Sequence, residues 1–144
     1  MDKYTCIIIE DEPLALDKTK DFVNKVPFLN LAATFDNALT GLAYLNSHKV
    51  DILFLDINMD ELSGIELLES SNISSQVIIT TAYQDYALKG YELQITDYLL
   101  KPVTVQKLQN VLQKLTMQLE QEKREKDNLK RLQEQVEENQ AMLR

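Results

Sequence analysis

The stretch that decides the fold is DILFLDINMDELSG, residues 51–64. Its apolar run, Ile52–Leu55, is uninterrupted, which is typical of a central parallel strand that is covered on both faces. Asp56 follows this run directly. We therefore expect Asp56 at the carboxyl end of a core strand, where open α/β sheets bind their ligands. An isolated Asp after a strand is more often a simple turn residue, so the rest of the chain must decide between the two roles.

Composition limits the classes of protein that the chain can belong to. With 144 residues and 44% hydrophobic content, we expect one domain and room for an appendage. No run of 18 apolar residues and no signal-peptide pattern occur, which predicts a cytoplasmic protein without a membrane partner. Cys6, the only cysteine, is predicted to be a small core residue. A net charge of −8 disfavours direct binding of nucleic acid by this segment.

Strand and helix signals alternate along the chain. The predicted strands are Tyr4–Ile9, Leu29–Phe35, Asp51–Leu55, Gln76–Thr80 and Ile95–Leu100. The first helix begins near Pro13 and is predicted to pack through Leu14, Leu16, Phe22 and Val26, whereas Asp36 or Asn37 caps the second. The third and fourth helices are predicted at Ser63–Leu68 and Tyr86–Tyr91. This alternation predicts an α/β fold, a flavodoxin-like doubly wound five-stranded parallel sheet of order 2-1-3-4-5.

The predicted strand order brings acidic residues together. Glu10 and Asp11 follow the first strand, which lies beside the third strand and Asp56. Three carboxylates at one sheet edge repel one another unless a cation compensates their charge. Mg²⁺ takes oxygen ligands from one or two carboxylates and keeps positions for water and phosphate oxygens. The sequence therefore predicts a magnesium site at this edge.

Two further groups reach the same edge from later strands. Thr81 follows the fourth strand and Lys101 follows the fifth. A hydroxyl and an ammonium that face a metal-bound carboxylate form a pocket for a phosphoryl group. In such a pocket Asp56 can attack as a nucleophile, while Mg²⁺ and Lys101 neutralise the oxygens of the transferred group.

This pattern resembles the CheY-like receiver domain of two-component response regulators, over roughly residues 3–116. The matching residues are Glu10-Asp11, Asp56, Thr81-Ala82 and Lys101-Pro102. The resemblance implies that Asp56 is the phosphoacceptor, which a sensor histidine kinase or a phosphotransfer protein charges. It also implies that Asp11 and Asp56 bind Mg²⁺ (or Mn²⁺) with the backbone carbonyl of Asn58, and that Glu10 binds it directly or through water.

The resemblance assigns roles to the remaining residues of the motif. Lys101 contacts the phosphoryl group, and Thr81 and Tyr98 form the switch pair. Asn58, Tyr83 and Ala82 are modulators of the phosphorylated state, and Pro102 is a candidate for a cis peptide bond. Two residues depart from the usual pattern, because Glu10 stands where Asp is commoner and Asp60 stands where Pro is frequent.

Two segments narrow the resemblance to one class of receivers. EDEPLA at residues 10–15 and TTAYQDYALKGYELQITDYLLKPV at residues 80–103 are similar to receivers of LytTR-class, AlgR/AgrA-like transcriptional regulators. This similarity implies a LytTR-type DNA-binding output domain that this chain does not include, so that DNA would be contacted only through that domain. It also implies a homodimer through the face of the fourth helix, fifth strand and fifth helix.

The C-terminal third of the chain changes character. A fifth helix is predicted from Val103, with Thr104 as its cap, and no Gly or Pro follows Pro102 to stop it. We expect a receiver domain at residues 1–116 and a helical linker at 117–144. Leu129, Leu132, Val136, Asn139 and Leu143 follow a 3-4 spacing, whereas Gln118, Glu122 and Glu125 interrupt it upstream. The linker is thus either a dimerising coiled coil or a solvated charged helix.

Two alternatives stay open from the sequence. One is a degenerate receiver that acts as a phosphorylation-independent dimerisation scaffold. The other is a haloacid-dehalogenase-like aspartyl phosphohydrolase, which normally carries a second Asp two residues after its nucleophile, where this chain has Asn58. We expect no enzymatic activity beyond self-phosphorylation from a phosphodonor and slow autodephosphorylation.

Overall fold

A computed structural model describes residues 3–57, 66, 73–81, 97–101 and 103–143 of the chain. Its strands are β1 (Tyr4–Ile9), β2 (Leu29–Phe35), β3 (Ile52–Asp56), β4 (Gln76–Thr81) and β5 (Asp97–Leu100). The helices among these residues are α1 (Pro13–Asn24), α2 (Ala38–Ser47) and α3 (Val105–Met142). The predicted third and fourth helices lie outside the described residues, apart from Glu66, and so do Asn58, Ala82, Tyr83 and Pro102.

The strands form one parallel sheet of order β2-β1-β3-β4-β5. The predicted CheY-like fold class and strand order are therefore confirmed. In the register of the sheet, Ile9 is opposite both Phe35 of β2 and Leu55 of β3. Because the strands are parallel and in step, the residues that follow Ile9 and Leu55 emerge at the same edge. Those residues are Glu10 and Asp56.

The two central strands are buried along almost their whole length, as their apolar sequences predicted. Residues 6–9 of β1 and 52–55 of β3 are at most 2% exposed. Cys6 is one of these core residues. Burial, together with the negative charge of Asp51, raises the pKa of the Cys6 thiol to about 12. The thiol is therefore protonated at neutral pH and behaves as a small apolar side chain.

Asp51 ties three strands together at the amino end of the sheet. The Thr5 N–H donates to Asp51 Oδ2 at 2.9 Å, and the Asp51 N–H donates to the Thr5 carbonyl at 2.9 Å. The Asp51 carbonyl in turn accepts from the Gln76 N–H at 2.9 Å. These bonds fix the starts of β1, β3 and β4 relative to one another. The register that brings Glu10 beside Asp56 is thus fixed from the opposite end of the strands.

Two strand ends and one packing face differ from the sequence expectations. Strand β3 continues through Asp56, which is opposite Thr80, and β4 continues through Thr81, because the ladder extends one residue past the apolar runs. Helix α1 packs through Thr19 and Val23, whereas Leu14 is 77% exposed, so its predicted burial is wrong. Apolar spacing identifies a helical face, but it does not show which residues of the first turn the sheet covers.

The ends of two helices follow the predicted chemistry. The Asn37 side chain caps α2 by accepting from the Thr40 N–H at 2.9 Å. Thr104 caps α3, and its hydroxyl oxygen accepts from the Lys107 N–H at 3.2 Å. These contacts satisfy amide groups that the first turn of a helix leaves without partners.

The residues of the chain group into two compact units, Met1–Val111 and Leu112–Arg144. The first unit contains the sheet, and the second contains most of α3. The predicted domain boundary after residue 116 stays a prediction. Among the described residues, no helix combines the length and the apolar character that crossing a membrane requires.

Gly41 of α2 lies close against Ile9 of β1. A Cβ atom at Gly41 would lie 2.7 Å from Ile9 Cγ1 and closer still to Ile9 Cδ1. Ile9 is fully buried and directly precedes Glu10, so it has little freedom to move. The absence of a side chain at residue 41 therefore allows α2 to pack against the strand that carries the first acid of the site.

We predict that Gly41→Ala destabilises the protein. In an exposed helix this change stabilises by about 1 kcal/mol, but overpacking against Ile9 costs about 1–3 kcal/mol. Urea denaturation of the wild type, Gly41→Ala, Ile9→Val and the double variant measures the effect. Since Ile9→Val removes Cδ1, Gly41→Ala should cost less in that background. Equal costs in both backgrounds would contradict the contact as the cause.

Candidate functional site

Three carboxylates meet at the carboxyl edge of the sheet. Glu10 directly follows β1 and Asp56 ends β3, and each is 2% exposed. The Glu10 N–H donates to the Phe35 carbonyl at 2.9 Å, which fixes the backbone of Glu10 at the end of β2. Asp11 is half-buried, and one carboxylate oxygen from each of the three acids lies within 4.8 Å of the others. The convergence that the strand order predicted is therefore present.

Lys101 supplies a positive charge to this acidic cluster. Its Nζ lies 2.7 Å from Glu10 Oε1 and 3.7 Å from Asp56 Oδ1. Its backbone is fixed as well, because the Lys101 N–H donates to the Thr81 carbonyl at 2.6 Å. The ammonium thus bridges acids from two central strands, while its main chain is attached to β4.

The surroundings of Lys101 determine its protonation. Burial by itself lowers the pKa of the Lys101 ammonium, but its hydrogen bond to Glu10 and the negative charges of Asp56, Glu10 and Glu12 outweigh that effect. The net result is a pKa above the ordinary value for lysine. Lys101 is therefore charged throughout the physiological range of pH, and it can act as a fixed cation but not as a base.

Thr81 lies at the end of β4 and is fully buried. Its backbone pairs with Leu100 of β5, next to Lys101. The backbone of Tyr98 lies opposite Ile79 on β5. The side chain of Tyr98 lies outside the described residues, as do the whole of Asn58, Ala82 and Tyr83. The structure thus places Thr81 at the same edge as Asp56 and Lys101.

The donor set of this edge fits a hard divalent cation. Among the described residues, three carboxylates and one ammonium lie within a small volume, so acids outnumber cations there, and two of the acids are almost excluded from water. Their cluster contains oxygen ligands and no histidine or cysteine. Mg²⁺ and Mn²⁺ favour such oxygen donors, whereas zinc and copper favour nitrogen and sulfur. Glu10, Asp11 and Asp56 are therefore suited to hold one such ion.

Sequence reasoning missed two features of the site. It assigned Lys101 to a phosphoryl group but did not identify Glu10 as its nearest partner. It also missed a groove of about 460 Å³ that shares Lys101 with the acidic cluster, lined by Glu12, Leu14, Ala15, Lys18, Thr19, Lys101 and Val103. The only sequence signal for this groove was a leucine in the first turn of α1, next to two acids and a proline.

Known sequences are similar to this chain over most of its length. The family described as the response regulator receiver domain matches residues 6–113. Protein MrkE of Klebsiella pneumoniae is 34% identical over 99 residues, which are 67% of this chain and 37% of MrkE. Transcriptional regulatory protein BtsR of Escherichia coli is 30% identical over 88 residues, 60% of this chain and 37% of BtsR. The chain thus spans little more than a third of the length of these curated relatives.

Solved structures agree with the sequence match. The crystal structure of the response regulatory domain of MrkE is 35% identical, with a TM-score of 0.74, and the match covers 81% of this chain and 98% of that domain. The receiver domain of AraT, a response regulator of Geobacillus stearothermophilus, is 27% identical, with a TM-score of 0.70 and coverage of 83% and 98%. Sequence and fold lead to one conclusion: the chain belongs to the response regulator receiver domain family of two-component systems.

Proposed function

We propose that Asp56 accepts a phosphoryl group and that this modification switches the receiver. The observation that carries the proposal is the position of the Asp56 carboxylate, in a cluster with Glu10 and Asp11 and 3.7 Å from Lys101 Nζ. A carboxylate that is buried at a strand end beside a fixed cation is oriented for attack. Its surroundings also offer positive charge to the oxygens of an incoming phosphoryl group.

The chemical step is a transfer from a phosphohistidine to Asp56. A carboxylate oxygen of Asp56 attacks phosphorus, and the new O–P bond forms as the P–N bond to the donor imidazole breaks. Lys101 faces the charge on the transferred group. Glu10, whose Oε1 lies 2.7 Å from Lys101 Nζ, holds this ammonium beside Asp56. Since the pKa of Lys101 is raised, its charge is present during the whole step.

The proposed cofactor is Mg²⁺, or Mn²⁺ in its place. Asp11 and Asp56 would hold it, with Glu10 acting directly or through water and the Asn58 carbonyl as a further ligand. When bound, the ion neutralises charge on the transferred phosphoryl oxygens. Its binding also offsets the mutual repulsion of the three acids.

The proposed donor is a sensor histidine kinase or a phosphotransfer protein. Such a donor must bring its phosphohistidine to Asp56, so it needs a surface beside the acidic cluster. The groove that contains Leu14, Lys18 and Lys101 is such a surface. Leu14 is 77% exposed, and it offers apolar area that a partner can cover.

The proposed switch is Thr81, together with Tyr98. A phosphoryl group on Asp56 adds acceptor oxygens and about −1.5 to −2 of charge, by analogy with other phosphorylated residues. The Thr81 hydroxyl turns to donate to one of these oxygens and vacates space into which Tyr98 moves. A change from mostly off to mostly on requires about 5.5 kcal/mol of differential stabilisation. Homodimerisation through the predicted face of fourth helix, fifth strand and fifth helix supplies part of it.

We propose a transcriptional output of the LytTR type, which contacts DNA through a domain that this chain does not include. Two relatives, BtsR and YpdB of Escherichia coli, are transcriptional regulatory proteins, and they are 30% and 31% identical to this chain over the matched residues. The sequence similarity of residues 10–15 and 80–103 to LytTR-class receivers supports the finer assignment. The receiver itself is proposed to act in the cytoplasm, without enzymatic activity beyond self-phosphorylation and slow autodephosphorylation.

The alternatives have less support. A phosphorylation-independent scaffold has no need for a lysine between two buried acids, yet Lys101 occupies that position. A phosphohydrolase of the haloacid-dehalogenase type lacks its acid/base, because Asn58 stands two residues after Asp56. A receiver uses each of the four groups Glu10, Asp11, Asp56 and Lys101, and it does not need an acid at residue 58.

The first prediction from the proposed function concerns covalent modification of Asp56. The full chain incubated with acetyl phosphate and Mg²⁺ should gain a single phosphoryl group, measured by intact mass spectrometry. Asp56→Asn should abolish the adduct, because the amide is not a nucleophile. The matched control Asp36→Asn, at an exposed loop residue, should leave it unchanged. An adduct that persists in Asp56→Asn would refute the assignment, and rapid turnover without an adduct would favour the hydrolase.

The second prediction concerns charge balance. Lys101→Ala should lower the free energy of unfolding by about 1–3 kcal/mol, because the buried carboxylates of Glu10 and Asp56 lose a charged partner. The pKa of Lys101 is raised on folding, so its contribution is complete below about pH 10, near the pKa of an unfolded lysine, and disappears at higher pH. Urea denaturation from pH 7 to 11 measures both effects.

Mg²⁺ distinguishes the role of charge from simple loss of packing. The ion should raise the melting temperature of Lys101→Ala by more than that of the wild type, because it replaces the missing positive charge. The control Lys18→Ala removes an exposed lysine from the same groove and should respond like the wild type. Equal responses of all three proteins would refute a cation site at these acids.

The third prediction concerns the switch. Thr81→Ala should still accept a phosphoryl group on Asp56, but phosphorylation should no longer strengthen dimerisation. Thr80→Ala, which changes the preceding buried threonine, is the matched control and should retain the coupling. Sedimentation with and without acetyl phosphate measures the coupling. Phosphorylation-dependent dimerisation that is unchanged in Thr81→Ala would refute the role of this hydroxyl.

A further inference from the structure

The distal part of α3 exposes large apolar side chains along one stripe. Leu129, Leu132 and Val136 are 60%, 59% and 54% exposed, and Leu143, which directly follows the last residue of α3, is 87% exposed. With Asn139 they are spaced by 3, 4, 3 and 4 residues. On a helix this spacing aligns side chains into one seam, as in a coiled coil. Segment 127–143, which we call the distal segment, therefore carries an exposed seam.

No charged residue of the distal segment lies in that seam. If Leu129 takes position a of a heptad, then Leu132 and Asn139 take d, and Val136 and Leu143 take a. The six charged residues of the segment then all fall at the outer positions b, c and f: Asp127, Lys130, Arg131, Glu134, Glu137 and Glu138. Positions e and g, which flank the seam, are uncharged: Asn128, Gln133, Gln135, Gln140 and Met142.

This partition distinguishes the distal segment from a merely solvated helix. A helix that is surrounded by water needs no uncharged face. Upstream of residue 127, charged residues do occupy the seam, since Glu122 is at position a and Glu125 is at position d. From residue 127 onward, the uncharged face is broad enough to include both the seam and its flanks. Such a face is suited to burial against another helix.

We propose that the distal segment pairs with the same segment of a second copy of this chain, as a parallel two-stranded coiled coil. Two identical helices in register bring no like charges together, since their flanking e and g positions are uncharged. A different partner would normally be selected by charges at those positions, and the distal segment offers none. The second copy is thus the occupant that this charge pattern fits.

Asn139 sets the orientation of the pair. In a parallel pair in register, Asn139 faces Asn139 of the second copy, and each amide can both donate and accept. In an antiparallel pair a residue at d faces one at a, so Asn139 would face Leu129 or Val136 and its amide would be buried without a partner. Glu122 and Glu125 end the pairing upstream, because both helices of a parallel pair would place them face to face.

This inference is independent of the proposed phosphorylation, because the pairing needs no phosphoryl group. Sedimentation equilibrium of the unphosphorylated full chain should show a reversible dimer. Val136→Glu, at a, should raise the dissociation constant about tenfold or more, because apolar burial is replaced by facing charges. Ala141→Glu, at the outer position f, makes the same charge change on an exposed residue and should leave the constant unchanged. A chain that stays monomeric, or equal effects of the two changes, would overturn the proposal.

A second pair of variants tests the orientation. Leu129→Cys should form a disulfide-linked dimer on oxidation, because identical a positions face each other only in a parallel pair. Ala141→Cys, on the outer face, should not cross-link, and Cys6 is buried and does not compete. Strong pairing without a cross-link in Leu129→Cys would overturn the parallel arrangement.

A variant that strengthens dimerisation gives a test that misfolding of the variant cannot explain. Glu125→Leu places an apolar residue at d and should lower the dissociation constant severalfold, whereas Lys123→Leu, at the outer position b, should not. Asp56→Asn should leave the pairing unchanged even if it abolishes phosphorylation. A dimer that Asp56→Asn disrupts would overturn the independence of the distal segment, while failure of Asp56 to accept a phosphoryl group would affect only the proposed function.

Discussion

One electrostatic interaction is central to this structure. Two buried carboxylates at the ends of neighbouring strands share one ammonium group. Lys101 Nζ lies 2.7 Å from Glu10 and 3.7 Å from Asp56, and both acids are 2% exposed. Buried ion pairs often stabilise a protein less than apolar residues of similar volume would. The cluster is therefore poorly explained by stability alone. Three acids at this edge are suited to binding a cation, which would compensate their negative charge.

The unequal distances within the cluster matter for the proposed chemistry. Lys101 Nζ lies closer to Glu10 than to Asp56, so Glu10 is the stronger of these two partners of the ammonium. A phosphoryl group on Asp56 would add negative charge on that side, and Lys101 would then have a stronger partner there than Glu10. The longer side chain of glutamate gives Glu10 a greater reach toward the ammonium than an aspartate would have there. Its length therefore bears on how firmly the unphosphorylated site holds Lys101.

The sequence was sufficient for the sheet, because uninterrupted apolar runs such as residues 52–55 are typical of central parallel strands, and short connections leave few topologies. It was also sufficient to bring Glu10 and Asp11 to Asp56, since that follows from strand order. It failed for Leu14, because periodicity does not show which side of the first turn the sheet covers. The sequence did not show that Lys101 lies closer to Glu10 than to Asp56. That difference is about 1 Å, and a sequence pattern contains no information on distances of this size.

Pairing of the distal segments would change the energetics of the proposed switch. Two free receivers that associate lose translational and rotational freedom, a cost of at least about 4 kcal/mol at the usual standard state. If α3 already holds two copies together, later contacts between the receivers become intramolecular and escape most of that cost, provided that the receivers can reach each other. The contacts that Thr81 and Lys101 gain around a phosphoryl group are each worth a few kcal/mol at most. If the two copies are already paired, the switch needs less stabilisation from phosphorylation. The contacts of Thr81 and Lys101 would then be strong enough to provide it.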